Sequence, residues 1–226
     1  MIPMKKEVLV ILMLMGGVMG CQPSPPDARK VVDSSPEIPV TKRLRVSVNP
    51  NFTEIQSRSV SLLLPPGYEG GDPEEDLETV ASQLEGAGER YRDLSQALRE
   101  SRQVVHFLAF DTAESTQGFV TTVNVTAPTT IPGTTLQTLT DAVVENFRRL
   151  DYEVTEQELQ LINNQLVGRI VVQIRAGTKE ITQLVYALEE NDRFWIVTYS
   201  TPRTEFPQRL SGFEQSVASF QVLPDL

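Results

Sequence analysis

Residues 165–200 read QLVGRIVVQIRAGTKEITQLVYALEENDRFWIVTYS and contain three apolar runs separated by short polar breaks. β-Branched and aromatic residues fill the runs, as is typical of buried strands. The breaks at 176–178 and 190–192 are rich in turn-forming residues and are too short for a crossover between parallel strands. The stretch therefore predicts consecutive antiparallel strands at 165–175, 180–189 and 193–200.

Further strands are expected on both sides of this stretch. A strand at 152–161, followed by the turn residues Asn163 and Asn164, extends it to a four-strand meander. In SVSLLL at 59–64, Val60, Leu62 and Leu64 alternate with Ser59 and Ser61, as in a half-buried strand, until the prolines and glycine of 65–67 end it. The remaining apolar runs predict strands at 44–48, 59–64, 104–110, 119–125 and 219–223.

Helices are predicted where apolar residues recur at three- and four-residue spacing. Asp72 is a candidate N-cap and is followed by Pro73 and several acids, a combination that favours a helix start. Thr134 and Gln137 have capping-box spacing. The predicted helices span 72–101, 136–150 and 206–218. Together with the meander they predict an α+β fold in which helices cover an antiparallel β-sheet in layers.

The C-terminal third of the chain resembles the end of PsbP-like domains. The resemblance lies in FWIVTYSTP at 194–202, in Phe206, in Phe213-Glu214 and in Ser219-Phe220. SVSLLLPPGY at 59–68 is similar to the opening strand and the Pro-Gly-aromatic turn of such domains. That family shares its α/β/α sandwich with the Ran-binding nuclear-import factor and with several bacterial lipoproteins. The resemblance implies this fold and brings no catalytic residue with it.

The N-terminus has the order of a lipoprotein signal. Lys5 and Lys6 precede the apolar run 8–15, which is too short to cross a bilayer of about 30 Å as a helix. The run ends in VMGC at 18–21, which resembles the lipobox of bacterial lipoproteins. The resemblance implies cleavage before Cys21, a diacylglycerol on its thiol and an acyl chain such as palmitate on its amine. A plain secretory signal or an uncleaved anchor remains the alternative.

These features divide the chain into a signal peptide at 1–20, a tether at 21–41 and one domain at 42–226. Five prolines in the tether predict a semi-rigid spacer without regular structure. The mature chain is expected to be lipid-anchored on the extracytoplasmic side of a cell membrane. In Gram-negative bacteria an aspartate directly after the lipidated cysteine commonly marks retention in the inner membrane. This chain has Gln22 there, so the sequence is compatible with an outer-membrane location in such a host.

Composition excludes several classes of function. The chain has 20 Lys and Arg against 30 Asp and Glu, a net charge of −10, which argues against a nucleic-acid partner. One histidine and one cysteine exclude His-rich and Cys-based metal sites and any disulfide framework. No nucleophile elbow, phosphate loop or zinc-protease motif is present. We therefore predict no cofactor, no catalytic residues and no enzymatic activity.

His106 is the main candidate for acid–base chemistry. Strand alternation places it on the same face as Leu108. It could act as a general base, but no companion nucleophile motif accompanies it. We favour a structural role, either half-buried with a hydrogen-bond partner or at a sheet margin.

Two features of the predicted helix at 72–101 suggest a function: calcium binding for one and dimerisation for the other. Its acidic start could bind calcium, although acids at a helix start are already explained by capping and the helix dipole. Its apolar stripe at 77–98 could form a coiled-coil homodimer, although packing on the sheet accounts for it better and leaves a monomer. The acidic residues are Asp72, Glu74, Glu75, Asp76 and Glu78.

Aromatic residues are concentrated in the last part of the chain. Buried, they need no role beyond the core; exposed, they would mark a partner site. We favour the core. The residues are Phe194, Trp195, Tyr199, Phe206, Phe213 and Phe220.

The predicted function is a membrane-anchored lipoprotein that acts as a non-enzymatic binding or assembly module for another protein of the cell envelope. The alternative is a lipoprotein that binds a small solute or lipid in a pocket between sheet and helices. The alternative requires a sizeable apolar cavity. Among the classes of function considered, enzymatic activity ranks third, after the binding module and the solute-binding lipoprotein.

Overall fold

The computed structural model describes residues 40–73, 105–112, 119–176 and 178–224. Within these ranges the chain forms eleven strands and two helices. In chain order they are β1 (Val40–Leu44), β2 (Thr53–Gln56), β3 (Val60–Leu64), β4 (Tyr68–Gly71), β5 (Val105–Asp111), β6 (Thr122–Thr126), α1 (Leu136–Arg149), β7 (Glu153–Ile162), β8 (Gln165–Ala176), β9 (Lys179–Glu190), β10 (Arg193–Pro202), α2 (Phe206–Val217) and β11 (Gln221–Val222).

The predicted meander forms the centre of an eight-stranded sheet with the order β1-β7-β8-β9-β10-β6-β5-β4. β7 to β10 are consecutive antiparallel neighbours, as the sequence predicts. Asn163, Asn164, Asn191 and Asp192 occupy the connecting turns with positive φ angles, a conformation that Asn and Asp tolerate better than most residues. β1 is the exception to the antiparallel order, because it runs parallel to β7.

A second sheet of three strands, in the order β11-β3-β2, lies apart from the large one. The predicted strands at 59–64 and 219–223 belong to it, as β3 and β11. Val60, Leu62 and Leu64 of β3 are fully buried, because they share a core with α2 and one face of the large sheet. The small sheet and α2 therefore form one covering layer together.

The two faces of the large sheet enter two different cores. On β9, Leu184, Tyr186 and Leu188 join the core shared with α2, which we call the α2 core. Val185 and Ala187 alternate with them and join the core shared with α1, the α1 core. The order α1, large sheet, α2 with the small sheet confirms the predicted α+β sandwich.

α1 packs closely on the large sheet at one point. Its N-cap is Thr135, which exchanges hydrogen bonds with Thr138, so the capping box begins one residue later than the spacing of Thr134 and Gln137 predicts. The Thr140 hydroxyl donates to the carbonyl of Leu136 at 2.7 Å. It faces Gly168 of β8, where a β-carbon would lie 2.1 Å from Thr140 Oγ1.

Several predicted boundaries are wrong. The strand expected at 44–48 is β1, which ends at Leu44. The chain leaves the sheet there because the Asn163 side chain binds both backbone groups of Val46, at 2.9 Å each. β2 and β4 were missed. The helix expected at 72–101 lies outside the described residues, apart from Asp72 and Pro73.

Candidate interaction surface

β7 lies between β1 and β8 in the large sheet. β1 pairs with β7 from Leu159 to Ile162, and Glu153–Glu158 pair with β8. We call Glu153–Glu158 the first part of β7.

The side chains of Glu153–Glu158 differ between the two faces of the sheet: the acidic ones lie on one face, and the uncharged Val154 and Gln157 lie on the other. Val154 packs against the α1 core, and Gln157 donates to Asp141 of α1 at 2.7 Å. The glutamates at 153, 156 and 158 project from the opposite, α2 face, because the register pairs them with positions of β8 that alternate with Val172 of the α1 core. The α2 face of the first part of β7 is therefore acidic.

Arg169 holds two of these glutamates. It lies on β8 directly opposite Glu158, and its side chain is 6% exposed. Its Nη1 atom bonds to Glu156 and lies 3.4 Å from Glu158 Oε1. Burial lowers the pKa of the guanidinium, but the hydrogen bond to Glu156 and nearby charge outweigh burial, so the net pKa is raised. Arg169 is therefore a permanent buried cation.

Behind Arg169 lies a group of buried polar atoms. Arg169 Nε, both amide atoms of Gln160 and the Tyr186 hydroxyl have no hydrogen-bond partner, and each exposes less than 1 Å². Burial raises the pKa of Tyr186 far above its usual value, while Arg169 and Gln160 oppose the rise.

His106 is half-buried in a bulge of β5, where the register with β6 shifts between Val105 and Phe107. The bulge breaks the alternation that placed His106 with Leu108. Its ring instead packs edge-on against Trp195 of the α2 core, with centroids 5.3 Å apart. The predicted half-buried histidine with a hydrogen-bond partner is confirmed, because Nδ1 lies 3.3 Å from Ser59 Oγ.

The partners of His106 determine its tautomer and disfavour a role in nucleophile activation. Arg193 Nη2 lies 3.4 Å from His106 Nε2, and a guanidinium has donors only. Nε2 must therefore accept, which assigns the proton to Nδ1 and makes Ser59 Oγ the acceptor. A histidine that donates to the serine cannot remove its proton in this arrangement. Arg193 also stacks over Trp195, 4.9 Å from its ring centroid.

We expect His106 to titrate below its ordinary pKa of 6.5, because burial and the neighbouring Arg193 lower the pKa, and Asp72 opposes them only in part. Above 6.5 the neutral ring contributes its full stability. As pH falls from 6.5 through the lowered native pKa, the unfolded chain binds the proton more readily, so the free energy of unfolding falls.

NMR can measure this titration directly, since His106 is the only histidine in the chain. Denaturant unfolding above and below pH 6.5 should show a larger loss of stability for the native chain than for His106→Gln, which cannot titrate there. Equal losses in the two chains would contradict the assignment of this pH dependence to His106.

The acidic run at 72–78 is described only at Asp72. That residue is buried and pairs with Arg58 at 3.1 Å. Within the described ranges no group of three or more His, Cys, Asp or Glu residues is arranged to hold a metal ion. The other acids of the run, the apolar stripe at 77–98 and Cys21 lie outside the described residues.

The aromatic residues of the last third are core residues, as predicted. Five of them are buried, and Phe206 is partly buried against the α2 core. Tyr199 stacks on Phe213 with centroids 4.7 Å apart, and Trp195 lies 5.8 Å from Phe220. They expose no aromatic patch for a partner.

A cleft of about 430 Å³ lies where α1 ends and β7 begins. Leu150, Tyr152 and Ile174 contribute apolar surface, but Arg175 and Arg203 also line it, and both pair with Glu180 at 3.5 Å. This cleft is not the apolar pocket between sheet and helices that the solute-binding alternative requires.

In the part of the chain that the structure describes, no helix is long and apolar enough to span a membrane.

Comparison with known proteins establishes the fold. No family model matches the sequence, and no curated protein matches it. The solution structure of cyanobacterial PsbP (CyanoP) from Synechocystis sp. PCC 6803 is similar over 78% of this chain and 96% of that chain, at 15% identity and a TM-score of 0.50. The fold is therefore PsbP-like, as the sequence resemblance implies.

A second similar structure is LpqN, which is involved in cell envelope biogenesis of Mycobacterium tuberculosis. The similarity covers 76% of this chain and 90% of that chain, at 6% identity and a TM-score of 0.46.

Proposed function

We propose that this chain is a lipoprotein, anchored through Cys21 on the extracytoplasmic side of a cell membrane, whose PsbP-like domain is a non-enzymatic binding or assembly module of the cell envelope. The observation that carries the anchor is the position of the only cysteine, directly after the apolar run and a glycine. Two or more acyl chains hold a protein stably, at about 0.8 kcal/mol for each buried methylene.

The lipid must supply the attachment because the rest of the chain is acidic. Residues 1–20 carry Lys5, Lys6 and Glu7, a net +1, so their removal changes the charge from −10 to −11. A body of this charge gains nothing from an anionic bilayer surface. The anchor therefore keeps the domain near the membrane without drawing its surface onto the lipid, which leaves that surface available to other proteins.

The contacts of His106, the candidate general base, favour a binding function over a catalytic one. Both ring nitrogens of His106 are engaged, with Ser59 and Arg193. The α2 face of β7, in contrast, presents an acidic surface, on which Glu153 is exposed and the Glu156 side chain is 54% exposed. The solute-binding alternative gains no support from the charged cleft at the end of α1.

We expect Cys21→Ser to abolish lipidation and the cleavage before position 21, because the cysteine thiol is the site of attachment. Mass spectrometry of the membrane-extracted chain should show diacylglycerol on Cys21 in the native protein and none in the variant. Ser24→Ala, which removes a hydroxyl three positions after Cys21, is the matched control. It should leave both the cleavage and the lipidation of Cys21 unchanged. Cys21→Ser protein that is still processed and still membrane-bound would overturn the anchor.

A further inference from the structure

We infer that the α2 core contains an enclosed binding site for a water molecule, formed jointly by Gln160, Arg169 and Tyr186. The site lies beneath the acidic face of β7, on the side of the large sheet that α2 covers. The inference goes beyond the proposed function and does not depend on it.

The three side chains come from neighbouring strands and share one face of the large sheet. Arg169 of β8 lies directly opposite Tyr186 of β9 on one side and Glu158 of β7 on the other. Gln160 follows Glu158 by two residues, so it projects from the same face and is a diagonal neighbour of Arg169. Gln160 and Tyr186 are fully buried, and the Arg169 side chain is 6% exposed. Their polar groups therefore lie close together inside the protein.

Four polar atoms of this group have no hydrogen-bond partner among the residues that the structure describes. They are Arg169 Nε, the Tyr186 hydroxyl oxygen and the amide oxygen and nitrogen of Gln160. Arg169 and Gln160 both oppose the rise that burial causes in the pKa of Tyr186, which places their polar groups near the hydroxyl, although none of them reaches hydrogen-bond geometry. Buried polar groups in native proteins almost always have a partner, so this concentration of unpartnered atoms indicates a bridging ligand.

The numbers of donors and acceptors show that the three side chains cannot satisfy one another. Arg169 Nε carries one hydrogen, the Gln160 amide two and the Tyr186 hydroxyl one, whereas the acceptors are the amide oxygen and the hydroxyl oxygen. If Tyr186 accepts from Arg169 and donates to the Gln160 oxygen, the amide hydrogens of Gln160 still lack an acceptor. The group therefore needs a ligand that supplies a further acceptor.

Charge and size identify this ligand as water. The Arg169 guanidinium already faces Glu156 and Glu158, and the negative charge of Glu214 on α2 also acts on Tyr186. An anion would meet three carboxylates around one guanidinium, and a cation would meet the guanidinium itself. Each of the four atoms exposes less than 1 Å², so the ligand must be small enough to be enclosed. Buried waters typically make about three hydrogen bonds to polar groups that otherwise lack partners.

A crystal structure of the full chain, extracted in detergent, tests the site directly. We expect an ordered water within hydrogen-bond distance of the Gln160 amide and of Arg169 Nε or the Tyr186 hydroxyl. The competing occupant is Glu214, which α2 holds nearby. A Glu214 carboxylate bonded to the Gln160 amide at this position would overturn the inference, and so would a side-chain arrangement in which protein atoms alone satisfy all four groups.

Oxygen-17 relaxation of the solvent provides the matched comparison in solution, because it counts water molecules that are held inside a protein. Gln160→Leu removes both amide atoms and leaves Arg169 Nε free to donate to the Tyr186 hydroxyl, so the count should fall by one. Thr182→Val is the control. Thr182 is fully buried on the same face of β9 as Tyr186, but its hydroxyl donates directly to Gln173 at 3.0 Å, so the count should not change.

Equal counts in the native and Gln160→Leu chains, or an equal fall in Thr182→Val, would contradict the site. Gln160→Met gives the same comparison if the leucine variant does not fold, because methionine is flexible enough to fill the space of glutamine. Neither measurement depends on the lipid, so the result is separate from the outcome for Cys21→Ser.

Discussion

Replacing Gly168 by alanine is expected to lower the free energy of unfolding by about 1–3 kcal/mol, the usual cost of overpacking a filled core. The new β-carbon would lie 2.1 Å from Thr140 Oγ1 and 3.1 Å from both Thr140 carbons. Thr140 is fully buried, and its hydroxyl is bonded to the Leu136 carbonyl, so the side chain has no free direction in which to turn. The helix must therefore move away from the sheet.

Denaturant unfolding of three variants checks this explanation. Gly212→Ala on α2 is the matched control: its β-carbon would meet Pro65 Cγ at an ordinary 3.5 Å, and alanine favours a helix by about 1 kcal/mol over glycine, so stability should hold or rise. Combining Gly168→Ala with Thr140→Ala removes the closest contacts. The pair should be more stable than the sum of the single changes by at least about 1 kcal/mol. Strict additivity would show that Thr140 is not the obstacle.

The sequence predicts well those elements whose patterning reflects local contacts. The meander is predicted because β-branched runs and Asn-rich turns specify antiparallel neighbours without help from the rest of the chain. α1 is predicted because its stripe of apolar residues matches the helical period. The two sheets could not be separated in this way, since β3 shows the same alternation whichever sheet it joins. Its assignment depends on long-range packing with α2.

The candidate site was missed although part of its signal is present. Within EVTEQELQLI at 153–162, all three glutamates lie in the first six residues, and three of the last four residues, which β1 pairs with, are apolar. The missing information was the partner of β1, a parallel strand from more than 100 residues away, because no local pattern indicates it. Arg169, an arginine inside an apolar run, has no local explanation either. Its partners lie on the neighbouring strand.

Removing both carboxylates that face Arg169, by Glu156→Gln with Glu158→Gln, is expected to cost about 3 kcal/mol in the free energy of unfolding, at the low end for a buried charge that loses its partners. The amide oxygens can still accept hydrogen bonds, so part of the contact remains. The charge of Arg169 cannot be relieved, because a guanidinium does not deprotonate and this one is only 6% exposed.

Arg169→Met should cost less, about 1–2 kcal/mol, although it breaks the same two contacts. The carboxylates that it leaves behind are partly exposed and can be hydrated, and methionine fills much of the arginine volume. Glu153→Gln, on the same strand and face but outside the ion pairs of Arg169 with Glu156 and Glu158, should stay within about 0.5 kcal/mol of the native chain in the same denaturant titration. A larger cost for Arg169→Met than for the double glutamine variant would show that the carboxylates, and not the arginine, are the groups that burial penalises. The first part of β7 would then be held by its own strand pairing rather than by the cation beneath it.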